Sequence, residues 1–351
     1  MSEAANRIKG TLMNQEINIA VVGCGYWGPN LIRNFNAQPD CRVKWACDLD
    51  PSKLARVTSL HPEVCCTDSF ERVLDDPDVD AIAIATPVST HFPLGSRSLS
   101  AGKHTLIEKP LARSSDECRQ LIALAESRDL TLMVGHTFIY NAAVRKMKEI
   151  IASGEIGQVL YIGCQRLNLG LFQQDINVAW DLAPHDISIL LYLLEDAPEA
   201  VSCQGKAHVR KGIEDVTNMS LSFSSGPFAT IQSSWLDPNK VRRMTVVGES
   251  KMIVYEDTEP LEKLKIFDKR VEVPRTYDTY AEFFYSYHYG GVYSPFIEQD
   301  EPLRVQSRRF LDRIRDGRHS DSEGRHGLDV VRVLEAASHS LANHTTSVPL
   351  S

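Results

Sequence analysis

The feature that most constrains the fold is the hexapeptide Gly23-Cys24-Gly25-Tyr26-Trp27-Gly28, which fits the pattern G-x-G-x-x-G. The apolar run Ile17–Val22 precedes it, and a helical stretch to about Ala37 follows it. Such a hexapeptide alone recurs by chance, but between a buried strand and a helix it brings backbone amides and a helix N-terminus to a pyrophosphate. The sequence therefore predicts a dinucleotide-binding βα unit at this position.

Alternation of strands and helices continues as far as His136, which is typical of a parallel sheet with crossover helices. Six strands are the number expected of a doubly wound dinucleotide fold, so we predict an α/β Rossmann domain over residues 17–137. After the first strand, the predicted strands are Val43–Cys47, a weaker one at Val64–Thr67, Asp80–Thr86, His104–Lys109 and Leu130–His136. The predicted helices begin near Ser52 and cover 91–101 and 115–128.

The pattern changes after a helical segment at Ala142–Ser153, and the rest of the chain is rich in short strands joined by turns. This favours an α+β domain with a large, mostly antiparallel sheet over residues 138–351. Its predicted strands are 158–167, 199–209, 216–223, 228–235, 241–247 and 252–255, and its helices are Pro184–Leu194, 303–315 and 328–343. Whether the last helix packs on this domain or returns to the first stays open.

Composition excludes several classes of protein. With 38 Lys and Arg against 46 Asp and Glu and no long block of one sign, the chain is a poor partner for nucleic acid or an anionic membrane surface. Its longest apolar stretches, Ala81–Ala85 and Ile187–Leu194, are too short to cross a bilayer, and the first 16 residues lack an apolar signal core. We expect a cytoplasmic protein with eight reduced cysteines and no metal site, because neither Cys-x-x-Cys nor H-E-x-x-H occurs.

Asp48 indicates which dinucleotide binds. It lies 20 residues after Gly28 at the end of the second predicted strand, where a carboxylate can accept hydrogen bonds from ribose hydroxyls. A carboxylate there repels a 2′-phosphate, and no Arg follows it directly, so NAD is favoured over NADP. The alternative is a helix cap, a role that suits Asp50 before Pro51 better.

Ligands of open α/β sheets bind beyond the carboxyl ends of the strands, so polar residues at those ends are candidates for chemistry. Thr86-Pro87 with His91, Glu108-Lys109-Pro110 and Gly135-His136 occupy these places. Lys109 is the most informative, because it follows a buried strand and therefore lies at the cleft edge. An ordinary surface lysine that ends a strand is the alternative, and the pattern leaves both open.

The run Trp180-Asp181-Leu182-Ala183-Pro184-His185-Asp186 places Asp181 and His185 four residues apart at the start of an apolar helix. If the first turn has begun by Asp181, both side chains share a face. A carboxylate beside an imidazole orients it and suits general acid/base catalysis near neutral pH. An Asp that merely caps the helix, beside an incidental His, remains possible on this pattern.

Taken together, these motifs resemble the Gfo/Idh/MocA family of nicotinamide-dependent oxidoreductases over nearly the whole chain. The resemblance implies a Rossmann domain followed by a domain whose sheet covers the cleft and commonly serves as an oligomer interface, in a homodimer or homotetramer. It implies catalytic roles for Lys109, His185 and Asp181. It further implies that Gly23, Gly25, Tyr26, Trp27, Gly28, Asp48, Thr86, Pro87, His91, Glu108 and Lys109 bind the cofactor, and that Tyr140 and Asn141 lie near the substrate.

Several further segments look like the branch of this family that acts on nucleotide-linked sugars, often at C3, in polysaccharide biosynthesis. They are Arg166-Leu167-Asn168-Leu169-Gly170 and Ser234-Trp235-Leu236-Asp237-Pro238. Arg166, Lys240, Arg242 and Arg243 could then supply charge for a diphosphate, or they could serve solubility alone. A dehydrogenase of free sugars or inositol is the second interpretation, and a catalytically inactive NAD-binding regulator is the third.

Overall fold

The computed structural model describes residues 16–272, 286–317, 321–343 and 346–350, without the side chains of 321 and 322. The chain divides into two compact units. The first contains the residues up to Tyr140 together with Asp300–Arg332, and the second contains Asn141–Gln299 and Val333–Ser351. Most of the segment searched for a signal core, residues 1–15, lies outside the described residues.

The first unit is built on a six-stranded parallel sheet in the order β3-β2-β1-β4-β5-β6. This order confirms the predicted doubly wound fold, and it reverses direction between β1 and β4, beside which such folds bind dinucleotides. The strands are β1 Ile17–Val22, β2 Cys41–Cys47, β3 Cys65–Thr67, β4 Ala81–Ile84, β5 His104–Glu108 and β6 Leu132–Gly135.

Some helices of the first unit begin after a residue whose side chain accepts a hydrogen bond from an N-terminal amide. Asp50 accepts a hydrogen bond from the Ser52 amide, and Pro51 takes the first helical position. Ser114 caps the longest of the crossover helices in the same way through the Glu117 amide. The helices are α1 Gly28–Asn36, α2 Pro51–Leu60, α3 Phe70–Leu74, α4 His91–Ser100 and α5 Ser115–Ser127, with short 3₁₀ turns at Val88–Thr90 and Thr137–Tyr140.

Helix α8, Pro302–Asp316, completes the core of the first unit. Phe310 packs against Phe35 of α1 with ring centroids 6.2 Å apart, and Arg308 makes two hydrogen bonds to Asp40 at 2.8 and 3.0 Å. These contacts explain why residues 300–332 group with the first unit, although the sequence assigned them to a domain over 138–351. The predicted C-terminal helix is longer than expected, α9 Asp321–Ala342, and contributes residues to both units.

The second unit contains a nine-stranded sheet in the order β14-β13-β12-β11-β7-β10-β9-β8-β15. Its described neighbours pair antiparallel, except that β7 and β10 run parallel, which confirms the predicted mostly antiparallel sheet. The strands are β7 Val159–Leu169, β8 Pro198–Lys206, β9 Val216–Phe223, β10 Phe228–Ser234, β11 Leu236–Gly248, β12 Met252–Glu256, β13 Leu264–Glu272, β14 Ser286–Tyr293 and β15 Val348–Pro349.

Helices α6, Ala142–Ala152, and α7, Val178–Leu194, pack on one face of this sheet. Buried residues alternate along the strands toward that face, as Ile162 and Cys164 do in β7. The opposite face carries half-buried or exposed side chains such as Gln165, Thr230 and Thr245. Within the described ranges, no helix is long and apolar enough to cross a membrane.

Candidate active site

The glycine loop between β1 and α1 has the backbone that the fingerprint predicts. Gly23 has a φ of +92°, and a Cβ there would lie 2.5 Å from the carbonyl oxygen of Ala85. A Cβ on Gly28 would collide with the carbonyl oxygen of Gly23, so both glycines allow the strand and helix to approach. Gly25 has open space where a Cβ would be, which leaves room for a pyrophosphate against the backbone.

Asp48 links this loop to the end of β2. Its Oδ2 accepts a hydrogen bond from the Cys24 amide at 2.7 Å, and its Oδ1 accepts one from the Asp50 amide at 2.9 Å. The ammonium of Lys53 lies 3.5 Å from Oδ1. The carboxylate is thereby fixed beside the glycine loop, at the position from which it can accept hydrogen bonds from a ribose. Asp50 caps α2, as the sequence indicated.

Tyr26 and Trp27 form the exposed end of the glycine loop. Their rings meet edge to face with centroids 5.5 Å apart, and they are 81% and 36% exposed. Aromatic side chains bury a large apolar area when they contact a ligand. Because these two are exposed beside the loop, they are candidates for covering a bound dinucleotide.

His91 joins the ends of two strands. Its Nδ1 lies 2.8 Å from the carbonyl oxygen of Pro110 and its Nε2 lies 2.8 Å from that of Thr86. The ring is only 1% exposed. Any contribution of His91 to cofactor binding must therefore come through the loops that it holds, those of Thr86-Pro87 and of Lys109-Pro110.

Glu108 and Lys109 end β5 in different environments. The Glu108 carboxyl is buried against Gly135 of β6, and this burial raises its pKa to about 7. Lys109 is half-buried, and its peptide bond to Pro110 is cis. Lys109 is thus the first residue past the end of the strand, while the carboxyl of Glu108 is buried.

His136, which follows β6, belongs to the core of the first unit. It is 3% exposed, and its ring meets that of His326 edge to face at 5.3 Å. Burial lowers the pKa of both imidazoles, that of His326 to about 4. Both rings are therefore neutral at neutral pH.

In the second unit, α7 carries the predicted Asp/His pair. The helix begins two turns before the predicted Pro184, because Asn177 caps it by accepting a hydrogen bond from the Trp180 amide at 3.1 Å. The alternative in which Asp181 is the cap is therefore wrong. Since the helix is already formed at Asp181, this residue and His185 lie on one face, one turn apart.

Two residues outside the helix, which the sequence did not connect with it, contact the turn that carries Asp181 and His185. The indole Nε1 of Trp235 donates to Oδ2 of Asp181 at 3.0 Å. Asp186 accepts two hydrogen bonds from Arg166, from Nε and Nη2, each of 2.9 Å. A buried indole N–H needs a hydrogen-bond acceptor, so a contact of Trp235 with a polar group could be expected. Nothing in the sequence identified Asp181 as that acceptor.

The candidate diphosphate ligands have partners within the second unit. Arg166 is bound to Asp186, Arg242 donates to Asp257 at 3.1 Å, and Arg243 lies 3.4 Å from Glu256. Lys240 is exposed.

Three further predicted substrate residues lie around the start of the second unit and on β7. Asn141 caps α6 through the Ala143 amide and lies 3.4 Å from Asp257. Tyr140 packs against the core of the first unit. Asn168 is half-buried near the end of β7. Their contacts with a substrate stay predictions.

Two family models match the chain. Residues 17–136 match the model described as "Oxidoreductase family, NAD-binding Rossmann fold". Residues 144–254 match the "GFO/IDH/MocA C-terminal domain". The first unit is thus an NAD-binding Rossmann domain, as the glycine loop and Asp48 predicted.

Relatives and solved structures extend over most of the chain. An uncharacterized oxidoreductase, YrbE of Bacillus subtilis, is 25% identical over 94% of this chain and 96% of its own. UDP-N-acetylglucosamine 3-dehydrogenase of Acidithiobacillus ferrooxidans is 28% identical over 66% of this chain and 71% of its own. The crystal structure of GenD2 from gentamicin A biosynthesis, in complex with NAD, has a TM-score of 0.81 at 23% identity and covers 97% of each chain.

Proposed function

The chain belongs to the Gfo/Idh/MocA family of NAD-dependent oxidoreductases, and we propose that it transfers a hydride between NAD and the hydroxyl or ketone carbon of a nucleotide-linked sugar, at C3. The observation that supports this most directly is the placement of Asp181 and His185 on one face of α7 in a chain that also has Lys109 at the end of β5. A sugar substrate is supported by relatives such as UDP-N-acetylglucosamine 3-dehydrogenase.

The residues of the first unit fit NAD. Gly25 leaves its backbone accessible, the N-terminus of α1 follows the loop, and Asp48 is held beside both. Tyr26, Trp27, Thr86 and Pro87 would complete the site. When bound, NAD supplies the acceptor or donor of the hydride.

The chain's own side chains handle the proton and the charge on oxygen. In the direction of oxidation, His185 accepts the proton of the sugar hydroxyl while the ammonium of Lys109 stabilises the negative charge that develops on the oxygen. Asp181 orients the imidazole. In reduction the same groups act in reverse, with His185 returning the proton to the carbonyl oxygen.

A free sugar or cyclitol is the second candidate substrate, and the ion pairs of the second unit favour it. Arg166 and Arg242 are each matched by a carboxylate, so they bring little uncompensated charge for a diphosphate. Arg243, the third arginine among the four predicted ligands, lies 3.4 Å from Glu256, and the fourth ligand, Lys240, is exposed. In the nucleotide-sugar proposal, Lys240 therefore carries most of the diphosphate recognition.

One matched pair of substrates separates the two candidates. Purified protein with NAD is offered UDP-N-acetylglucosamine, free N-acetylglucosamine, other sugars and inositols, and the absorbance of reduced nicotinamide is followed. Oxidation of the UDP-linked sugar alone, with a KM that rises about tenfold in Lys240→Ala, supports the proposal. Turnover of free polyols alone replaces it with the second candidate. If neither these compounds nor the corresponding keto-sugars with NADH react, the regulator interpretation takes its place.

We also propose that the open face of the nine-stranded sheet is covered by a second copy of the chain. The face is broad; along β7 and β10 it carries half-buried polar side chains with exposed Tyr161 and Phe228, and beside them Arg243 is paired with Glu256. Light scattering of the purified protein tests this. A dimeric or tetrameric mass that falls in Thr230→Arg supports the proposal, and a monomeric wild type contradicts it.

A further inference from the structure

Helix α7 has a weak point within its catalytic turn. Pro184 lies inside the helix, between Asp181 and His185. A proline has no N–H to donate to the carbonyl of Trp180, and its ring crowds that carbonyl. The segment that carries both proposed catalytic residues is therefore less well held by its own backbone than the rest of the helix.

Two side chains from the sheet of the same unit contact this turn on either side of Pro184. Trp235, the residue between β10 and β11, donates to Asp181 before the proline. Arg166 of β7 binds Asp186 after it, through both oxygens, and the two side chains are only 6% and 5% exposed. Such a buried, bidentate contact fixes the backbone that also carries His185.

Trp235 is itself held rigidly. It is 1% exposed; its amide donates to the carbonyl of Asp215 at 2.9 Å, and its carbonyl accepts from the amide of Gly170 at 3.0 Å. A Cβ at Gly170 would lie 2.6 Å from Cδ1 of the indole, so the loop after β7 closes directly over the ring. The ring of Phe172 lies 5.3 Å away. The indole N–H is thus a donor of fixed direction.

We propose that Trp235 is a positioning residue, which selects the rotamer of Asp181 that orients His185 for proton transfer. The inference rests on the proposed function, in which Asp181 and His185 act together. Asp186 does not take the place of Asp181, because adjacent residues of a helix do not face each other and the Asp186 carboxylate is held by Arg166. The indole acts on the reaction only through Asp181.

Trp235→Phe removes the donor and keeps most of the ring. We expect kcat to fall about 10- to 100-fold, because a small misplacement of reacting groups lowers the rate by this order. The KM for NAD should be unchanged. Trp180→Phe is the matched control, because its indole lies in the same helix and donates to the Ser338 hydroxyl at 2.8 Å instead. We expect this variant to lose some stability and keep kcat. Equal losses of kcat in both variants, or none in Trp235→Phe, overturn the proposal.

A double-mutant cycle tests whether Trp235 acts through Asp181. The kcat of Trp235→Phe/Asp181→Ala should be no lower than that of Asp181→Ala alone. If the double variant instead loses the product of the two single losses of kcat, Trp235 acts independently of Asp181, and the proposal is contradicted.

A readout without turnover separates this proposal from the proposed function. The chain has four tryptophans, so its ¹⁵N-labelled indole signals are few, and substitution assigns them. Asp181→Ala should shift the Trp235 indole signal and leave that of Trp180 in place. An unmoved Trp235 signal overturns the hydrogen bond, even if the enzyme oxidises sugars. A shifted signal in a protein that oxidises no sugar supports the contact and refutes the proposed function alone.

Discussion

At the scale of single residues, Asp48 has a structural role and a proposed role in recognition of the ribose. It accepts the amides of Cys24 and Asp50, and so it fixes the glycine loop against the end of β2. Each oxygen accepts one of these hydrogen bonds, so each has a further lone pair that can accept a hydrogen bond from a ribose hydroxyl. A 2′-phosphate at the same place would meet a negative charge.

Asp48→Asn should therefore weaken NAD binding about tenfold and NADP binding much less, because the charge that repels a 2′-phosphate is lost together with one of the two acceptor oxygens. Titration of nicotinamide fluorescence with each reduced dinucleotide measures both affinities. Asp50→Asn is the control, since Asp50 caps α2 and takes no part in the proposed ribose contact. Equal losses for NADH and NADPH in Asp48→Asn would show that Asp48 does not read the ribose.

At the scale of elements, the N-terminus of α7 depends on one side chain. Asn177 accepts from the Trp180 amide and donates to Oε2 of Glu214 at 2.8 Å. Asn177→Ala removes both contacts and should lower the free energy of unfolding by about 1 to 2 kcal/mol, measured by urea denaturation. Asn177→Ser keeps a capping oxygen and should recover part of this loss. If Ser and Ala are equally destabilising, the cap is not what holds the helix.

The strands of the first unit were all predicted, and so were those of the second unit as far as β12, whereas its later strands were missed. The difference comes from burial. Parallel strands such as Ala81–Ile84 are buried on both faces and read as continuous apolar runs. Strands β13 and β14 escaped prediction because Leu264–Glu272 carries five charged residues and Ser286–Tyr293 contains a Gly-Gly pair. The start of α7 was placed too late because Pro184 resembles a first-turn proline.

The candidate site divides in the same way. Gly23, Gly28 and Asp48 could be identified because their backbone and spacing requirements are local. The contact between Trp235 and Asp181 joins residues 54 positions apart, and the pairing of Arg166 with Asp186 depends on how β7 meets α7. Such contacts leave no periodic signal in a single sequence.

At the scale of the whole molecule, buried imidazoles tie stability to pH. Burial lowers the pKa of His326 to about 4, against about 6.5 in an unfolded chain. Below pH 6.5 His326 is protonated in the unfolded chain, whereas in the folded chain it is protonated only near pH 4. The stability contributed by this residue is therefore complete above pH 6.5 and is lost as the pH falls through that window.

The shift corresponds to about 3 kcal/mol of unfolding free energy between pH 6.5 and 4. His326→Phe, which keeps an aromatic ring beside His136, should flatten the acid side of the stability profile, measured by urea denaturation at successive pH values. An unchanged acid limb in His326→Phe would refute the assignment.

In the proposed reaction, Lys109, Asp181 and His185 act on a sugar with NAD. The turnover of Lys109→Met tests this most directly. The variant keeps the length of the side chain and removes the charge that stabilises developing negative charge on oxygen. With the sugar identified by the substrate panel, we predict that kcat falls by about a thousandfold or more, while the Kd for NADH changes less than about threefold. Turnover close to wild type in a variant that binds NADH normally would contradict the account.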